Sequence, residues 1–556
     1  MNKFFLLSTF FLALMLSCCS SPADSISGIV LDEDGKPLPG AVVRIKATEK
    51  ETLTDLQGYF TLTDLTSDQP VFVTAWDSGY FINGVEDVLP GEKNVEIHLH
   101  AHHDNDNPDY DWLPSTYSSG LGEDQGCAEC HSSQSSELDF SLPVDEWLLD
   151  AHSQSAVNPR FISMYLGQDI AGQQSPETRY SQGRDYGRFP LRPDPDQPYY
   201  GPGYKLNFPE TDGNCAACHT PLASVDDPYS INPTQLSGVH KEGISCDFCH
   251  KVWDVILDPG TGFPYPNMPG VLSLEFRRPP DGHQFFAGPL DDVAPGEDTY
   301  SPIQRKSQYC ASCHFGVFWD TTVYNSFGEW LESPYSDPET GKTCQDCHMP
   351  TLGVTHFALI EQGGVTRDPD TIFSHRMPGA ADEELLQNAL SMQVAADRGD
   401  DTIMISVSLT NDQTGHHIPT DSPLRNMILL VEAKDSAGEM LELSQGPLVP
   451  DWGGEGNPVD GYYAGLPGKG YAKILMEMWT EVSPTGAYWN PTQIISDNRL
   501  AAFETDESTY IFDTPSDEEI TIKVTLLFRR AFIELMDQKQ WDTPDIIMEE
   551  EILLLP

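Results

Sequence analysis

The alternation of hydrophobic and polar residues predicts a small β-domain near the N-terminus. Between residues 24 and 100, segments such as ISGIVLDEDG, GYFTLTDL and NVEIHLH alternate with a period of two, and turns containing Gly, Pro or Asp separate them. This period places every second side chain on one face of a sheet. Short strands with regular turns are typical of two packed sheets, so we predict a β-sandwich over residues 24–100.

The C-terminal part of the chain has a similar alternation after one helical segment. Residues 381–397, ADEELLQNALSMQVAAD, have apolar positions at helical spacing and predict a helix. The segments DTIMISVSLTN, NMILLVEAKD and EITIKVTLLFRR then alternate as strands. We therefore predict a helix followed by a second β-sandwich over residues 381–556.

The region between these β-domains, residues 116–380, has little periodic structure but carries one motif five times. It is rich in Pro, Gly and Tyr, and it predicts only short helices, for example around EWLLDAHSQS. Long irregular segments are unusual in a compact domain, so another component must supply the core. The motif C-x-x-C-H uses ten of the twelve cysteines of the chain. These ten are Cys127, Cys130, Cys215, Cys218, Cys246, Cys249, Cys310, Cys313, Cys344 and Cys347.

C-x-x-C-H is the attachment motif for c-type haem, and from this composition chance predicts roughly 0.01 copies per chain. The two thiols add to the vinyl groups of a haem, and the histidine that follows becomes the proximal ligand of the iron. Disulfides, thioredoxin-like dithiols and zinc ribbons are the alternatives, but a zinc ribbon needs no histidine after each cysteine pair. We predict five haem c groups in a loop-rich domain with short helices. Their predicted proximal ligands are His131, His219, His250, His314 and His348.

The second and third motifs, and the fourth and fifth, follow each other closely in the sequence, which predicts that their haems are neighbours. The ligand on the other face of each iron decides the chemistry. A haem iron with histidine on both faces transfers electrons only, whereas an open face can bind a substrate. Sixteen histidines minus five proximal ligands leave eleven, so the supply of further histidines exceeds the demand.

Roughly residues 120–530 resemble the multihaem cytochromes c related to cytochrome c554. The resemblance rests on the segments WLLDAHS, GVHKEGISCDFCHK, EWLESPYSDPETGKTCQDCHMP, SHRMPG, TNDQTGHHIPTDSPLRNMILLVEAKDSAGE and SDNRL. It implies distal haem ligands at His152, His240, His283, His375 and His416, with His356 in reserve. Met268, Met349 and Met377 are alternative iron ligands, although Met349 directly follows a motif and is expected to pack against the porphyrin.

Residues 24–100 closely resemble the carboxypeptidase regulatory-like domain. The pattern G-x-V-x-D-x-DGKPLPGA-x-V and the later segment TDLQGYF carry this resemblance. It implies a transthyretin-like sandwich without catalysis, and therefore a spacer or adhesion module, and the chain has no zinc-peptidase motif.

A linker rich in His and Asp, residues 101–115, connects this domain to the motif region. Four histidines lie in or beside it: His98, His100, His102 and His103. They could bind a metal ion or cap a haem, but we favour a polar hinge. The spacing of its acidic residues lacks the glycine and the final glutamate of an EF-hand calcium loop.

The N-terminal sequence MNKFFLLSTFFLALMLSCCSS predicts export. Lys3 precedes an apolar run that is too short to span a membrane, which is typical of a signal peptide over residues 1–18. The cysteine after Ser17 resembles a bacterial lipoprotein box, so we predict lipidation at Cys18. Cys19 and an ordinary secretory signal are the alternatives.

The formal net charge of −55 excludes nucleic acid and anionic lipid headgroups as partners. Together these features predict a multihaem electron carrier rather than an enzyme. We expect a lipid anchor to hold it at the outer membrane, on the periplasmic or the cell-surface face. Its partners would be redox proteins or external acceptors. The alternatives are a reductase of nitrite, hydroxylamine or sulfur oxyanions with one open haem, a subunit of an extracellular filament, and an adhesin.

Overall fold

The computed structural model describes residues 25–65, 68–116, 126–134, 136–185, 187–293, 296–514 and 519–556. The predicted signal peptide and Cys18 lie outside these residues. The chain divides into two compact units. The first extends to His102 and includes Leu290–Tyr300, and the second comprises His103–Pro289 and Ser301–Pro556. The described chain is mostly β-structure in many small sheets, with few helices.

Two sheets share one apolar core in the first unit. The N-terminal strands are β1 (Ile26–Asp32), β2 (Val42–Ile45), β3 (Glu51–Leu53), β4 (Tyr59–Leu62), β5 (Val71–Trp76), β6 (Asn83–Val88) and β7 (Val95–Leu99). One sheet has the order β4-β1-β7 and the other β3-β2-β5-β6. Because alternate residues point inward, Val30 of β1 and Val43 of β2 are fully buried in this common core.

A distant segment of the chain returns to this unit. The Trp76 indole donates to the Thr299 hydroxyl at 3.1 Å, and the Arg44 guanidinium forms an ion pair with Asp291 at 2.9 Å. The sequence pattern did not predict this return, because Leu290–Tyr300 is embedded among the haem motifs.

Short elements make up the motif region of the second unit. Its helices are α1 (Ala128–His131), α2 (Pro143–Trp147), α3 (Pro159–Leu166), α4 (Tyr204–Asn207), α5 (Ala216–His219), α6 (Pro221–Ser224), α7 (Cys246–Lys251), α8 (Ser326–Leu331) and α9 (Cys344–His348). The strands in this part of the sequence are β8 (Tyr180–Gly183), β9 (Gly187–Pro190), β10 (Val252–Val255), β11 (Leu274–Phe276), β12 (Phe286–Gly288), β13 (Asp298–Tyr300, in the first unit), β14 (Gly316–Phe318) and β15 (Thr321–Tyr324). Proline occupies the first position of α2, α3 and α6, where its missing N–H costs no helical hydrogen bond.

Two larger sheets form the C-terminal part of the second unit. The elements are α10 (Glu383–Gln387), β16 (Ser391–Arg398), β17 (Thr402–Thr410), β18 (Asn426–Lys434), β19 (Leu443–Gln445), β20 (Gly468–Glu477), β21 (Thr492–Asp497), β22 (Thr505–Asp513), β23 (Ile520–Arg529), α11 (Ile533–Lys539) and β24 (Ile546–Leu555). One sheet has the order β16-β17-β22-β19 and the other β21-β20-β18-β23-β24. Ile405, Leu429, Tyr510 and Val524 from both sheets meet in one core.

The predicted helix over residues 381–397 is wrong in its second half. The Asp382 side chain caps α10 by accepting a hydrogen bond from the backbone N–H of Leu385. The following residues form β16, which pairs with β17 from Ser391↔Thr410 to Arg398↔Ile403. Pairing along a whole strand outweighs a weak local helical preference.

A buried lysine joins α11 to the motif region. The ammonium group of Lys539 donates to the carbonyls of Ser163 at 3.0 Å, Gln168 at 3.2 Å and Pro202 at 2.6 Å. Burial lowers the pKa of Lys539 to about 7. Within the described residues, no helix is long and apolar enough to cross a membrane.

Candidate haem-binding site

Four of the five motifs lie on short helices, and the fourth follows a 3-10 turn, Ser307–Cys310. Helical geometry places residues i, i+3 and i+4 on one face, so both cysteines and the histidine of a motif share that face. Local caps start two of these helices. The Ser245 side chain accepts from the N–H of Phe248 at the start of α7, and Thr343 forms a capping box with Asp346 at the start of α9.

The ten motif cysteines form no disulfide. In three cases the cysteine side chains of two different motifs lie next to each other. These pairs are Cys127 with Cys246, Cys218 with Cys313, and Cys310 with Cys344. The first motif therefore contacts the third, the second contacts the fourth, and the fourth contacts the fifth.

These contacts bring the fourth and fifth motifs together, and the proximity of their haems stays a prediction. The second and third motifs contribute Ala217 and Phe248 to one apolar cluster rather than touching through their thiols. A further link joins the third and fourth motifs, because the Tyr309 hydroxyl donates to the carbonyl of Cys249 at 2.7 Å.

Backbone carbonyls orient three of the motif histidines. The Nδ1 atoms of His131, His250 and His348 each lie 2.7 Å from a carbonyl oxygen, those of Phe357, Ala287 and Pro378 respectively. A carbonyl can only accept, so each Nδ1 carries the proton. The lone pair of Nε2 then remains available for a metal, as is usual for metal-binding histidines.

Burial keeps most of these imidazoles neutral, which is the form that binds a metal. It lowers the pKa of His219 and of His348 to about 4. The ring of His219 also stacks on Phe161, with centroids 3.8 Å apart and planes 4° apart. The ring of His219 is therefore fixed by packing against Phe161.

The histidine of the fourth motif has a charged partner instead. The Nδ1 atom of His314 lies 3.6 Å from a carboxylate oxygen of Asp421. Burial disfavours the charged imidazole, but the contacts with Asp421 outweigh burial and raise the pKa of His314 to about 9. Burial acts in the opposite sense on Asp421, and His314 lowers the pKa of that carboxyl to about 2.

Two of the predicted distal histidines face a motif histidine. The ring centroids of His152 and His314 are 6.3 Å apart, and those of His348 and His416 are also 6.3 Å apart. Two imidazoles that bind one metal through Nε2 have centroids roughly 6 Å apart, because each metal–nitrogen bond is about 2 Å long. The ring separation in both pairs matches this distance.

The Nε2 atoms of these two distal candidates are oriented for binding. The Nδ1 atom of His152 is 2.6 Å from a carboxylate oxygen of Asp150, and the Nδ1 atom of His416 is 2.9 Å from the carbonyl of His417. Both acceptors fix the proton on Nδ1 and leave Nε2 for a metal.

The other distal candidates have different surroundings. Burial lowers the pKa of His375 to about 4, and the nearby imidazoles of His250 and His131 add to this effect. The buried Nδ1 atom of His240 has no hydrogen-bond partner among the described residues. The ring of His283 lies 5.4 Å from that of His103.

The reserve candidate, His356, has both ring nitrogens engaged. Its Nδ1 atom lies 2.9 Å from the hydroxyl of Thr355, and its Nε2 atom lies 3.2 Å from the hydroxyl of Thr366. Iron binding at His356 would therefore have to replace a hydrogen bond.

One loop between β17 and β18, residues 411–425, supplies both His416 and Asp421. The buried carboxylate of Glu329 holds this loop, because it accepts from the backbone N–H of His417 at 3.1 Å and from the guanidinium of Arg499 at 2.7 Å. Sequence reasoning did not identify Asp421 or Glu329. All three residues nevertheless lie in segments that carry the resemblance: Glu329 in EWLESPYSDPETGKTCQDCHMP, Asp421 in TNDQTGHHIPTDSPLRNMILLVEAKDSAGE and Arg499 in SDNRL.

The histidines at the predicted linker do not converge. His98 pairs with Glu96 at 2.6 Å, and His100 lies 3.9 Å from Glu33. In the part of the chain that the structure describes, no group of three or more His, Cys, Asp or Glu side chains could hold a metal ion.

Comparisons with known proteins describe the N-terminal segment and give one long structural likeness. A pentahaem cytochrome c552 from Thermochromatium tepidum is 18% identical, covers 74% of this chain and 96% of its own, and has a TM-score of 0.49. A cohesin–dockerin complex from Acetivibrio cellulolyticus is 21% identical over 14% of this chain and 58% of its own, with a TM-score of 0.13. No curated protein matches the chain. Residues 25–99 match the carboxypeptidase regulatory-like domain family, so the N-terminal segment of this chain is a carboxypeptidase regulatory-like domain.

Proposed function

We propose that this protein relays electrons through five covalently attached haem c groups. The observation that carries the proposal is the orientation of the imidazoles. The histidines of the first, third and fifth motifs donate Nδ1–H to carbonyl oxygens and leave Nε2 free. Two motif histidines also face a second imidazole at 6.3 Å. Five C-x-x-C pairs beside such histidines match the donor set of c-type haem.

Each residue type has a defined task in this proposal. The ten motif cysteines would form the thioethers, and the five motif histidines would bind iron from one side. His152 and His416 would bind the fourth and fifth irons from the other side. When bound, each haem supplies a one-electron Fe(III)/Fe(II) couple.

Contacts between motifs support relay rather than five isolated sites. The thiol contacts join the first motif to the third, and the second and the fifth to the fourth. The hydrogen bond from Tyr309 to Cys249 joins the third motif to the fourth. Every motif is therefore linked to every other, by cysteine contacts within two groups of motifs and by the Tyr309 hydrogen bond between these groups, and the fourth motif lies at the branch.

The mass and spectrum of the purified protein test this function. We expect a mature mass that includes five haems per chain and an EPR spectrum of low-spin haem. A mass equal to the polypeptide, with or without lipid, would overturn the proposal. A high-spin fraction that shifts with nitrite or hydroxylamine would favour the alternative, a reductase with one open haem.

We also propose that the protein works at the bacterial cell envelope. Export brings the chain to the compartment where c-type haem is attached, and lipid on Cys18 would hold it at the outer membrane, in reach of redox proteins or external acceptors. The two pairs of sheets would form β-sandwiches, of which the N-terminal one would act as a spacer. We expect Cys18→Ser to release the protein from the membrane fraction, and retention there would contradict the anchor. A filament of subunits is the alternative assembly, and electron microscopy of the secreted material tests it.

A further inference from the structure

The two imidazoles at the fourth motif differ from the other oriented imidazoles because a carboxylate, and not a carbonyl oxygen, lies beside Nδ1. The Nδ1 atom of His152 is 2.6 Å from Asp150, and the Nδ1 atom of His314 is 3.6 Å from Asp421. Carbonyl oxygens instead hold the Nδ1 atoms of a second set, which are His131, His250, His348, His375 and His416. The fourth motif therefore combines two carboxylates with one facing pair of imidazoles.

We propose that Asp150 and Asp421 give the haem at Cys310–His314 the lowest reduction potential of the five. This inference rests on the proposed function, since it needs haem at this motif. Ferric iron carries one more positive charge than ferrous iron. A carboxylate that accepts from an axial imidazole raises the basicity of that ligand and so stabilises the ferric state. A neutral carbonyl oxygen raises the basicity of the imidazole less, and it therefore stabilises the ferric state less.

The surroundings of the two carboxylates strengthen this effect. The Asp150 side chain is 2% exposed, so little water screens its charge. It accepts from the backbone N–H of His152 at 3.0 Å as well as from the ring, which fixes its position. The Asp421 side chain is 20% exposed, and Arg425 lies 4.0 Å from it and balances part of its charge. Asp150 should therefore have the larger influence.

The position of the fourth motif gives this difference a consequence for electron flow. Its cysteines contact those of the second and fifth motifs, and Tyr309 links it to the third. A low-potential centre at the branch is the last to accept an electron. Electrons would therefore collect on the outer haems, and passage between them through the branch would be uphill and slow.

The test is a spectroelectrochemical titration of the haem-loaded protein and of two variants, Asp150→Asn and Asp421→Asn. We expect each variant to favour reduction of the lowest-potential haem at least tenfold, which is about 59 mV for a one-electron couple. The shift should be larger for Asp150→Asn. Asp346→Asn is the matched control, because Asp346 lies within the fifth motif but its carboxylate contacts Thr343 and no imidazole.

The outcomes separate the inference from the proposed function. Five titrating haems with no larger shift in the Asp150 and Asp421 variants than in the control would overturn the inference alone. Fewer than five haems in the wild-type protein would overturn the proposed function instead. Asp421→Glu keeps the carboxylate, and we expect it to retain the low potential. If it shifts as far as Asp421→Asn, the carboxylate is not the cause.

Discussion

The C-terminal sheets and the motif region fill their interiors in different ways. In the sheets, Ile405, Leu429 and Val524 from three strands of two sheets are fully buried in one large apolar core. In the motif region one of the apolar clusters consists of only three buried residues, Ala311, Phe327 and Trp330. The longest helix that the structure describes, α3, has eight residues, too few to be stable alone in water.

Under the proposed function, this difference indicates which part of the protein would depend on haem. Side-chain burial can stabilise the sheets by itself, since each fully buried aliphatic side chain contributes about 1.5–3 kcal/mol. The motif region has smaller apolar clusters, and its interior also contains thiols and imidazoles, such as those of Cys218 and His219. Under the proposed function, the porphyrins supply the missing apolar surface.

The largest expected effect comes from preventing haem attachment. We predict that the chain produced without haem-attachment enzymes loses the structure of residues 126–289 and 301–380, because short helices and small clusters cannot offset the entropy of ordering this segment. Strands β1–β7 should keep their structure in the chain without haem. Limited proteolysis followed by mass spectrometry checks this. Equal protection of both regions would contradict the comparison.

Removal of one distal imidazole should affect one haem in five. We predict that His416→Ala converts the haem at His348 to high spin, because the facing ring at 6.3 Å is lost. EPR of the holoprotein measures this. His356→Ala is the matched control and should leave the spectrum unchanged, since both nitrogens of His356 already face threonine hydroxyls. An unchanged spectrum for His416→Ala would show that this ligand is assigned incorrectly.

A cavity in the C-terminal core should destabilise the sheets without altering the native haem spectrum. We predict that Leu429→Ala lowers the free energy of unfolding by about 2–5 kcal/mol, because Leu429 is fully buried. Met404→Ala, at an exposed position of β17, should change it by no more than about 0.5 kcal/mol. Denaturant unfolding followed by fluorescence gives both values. Similar losses for the two variants would contradict the apolar core.

The smallest effect concerns pH and Lys539, which joins the two regions. The pKa of Lys539 falls from 10.5 to about 7 in the folded protein, so the unfolded chain binds more protons between these values. The penalty for burying this charge is therefore relieved as pH rises from about 7 towards 10.5, and stability increases. Unfolding midpoints at pH 7 and pH 9 should show this rise in the wild type but not in Lys539→Met. Parallel pH profiles would contradict it.

Local patterns predicted much of the fold and part of the site. The alternation in ISGIVLD predicted β1, and the expectation that short helices carry the motifs holds for four of the five but not for the motif that ends at His314. The helix expected through residue 397 was wrong beyond α10, because SMQVAADR pairs with β17 instead. The periodicity of one segment does not show whether that segment pairs with a strand elsewhere in the sequence.

The sequence by itself determined the five C-x-x-C-H motifs on which the proposed haem attachment depends, since this chemistry needs a fixed spacing of neighbouring residues. It also determined the N-terminal β-domain, through turn residues and period-two alternation. Only the tertiary structure decided which imidazoles face each other, such as His348 and His416, and that Asp421 lies beside His314. These contacts join residues far apart in the chain, and the packing of the loop between β17 and β18 on Glu329, not any local pattern, brings them together.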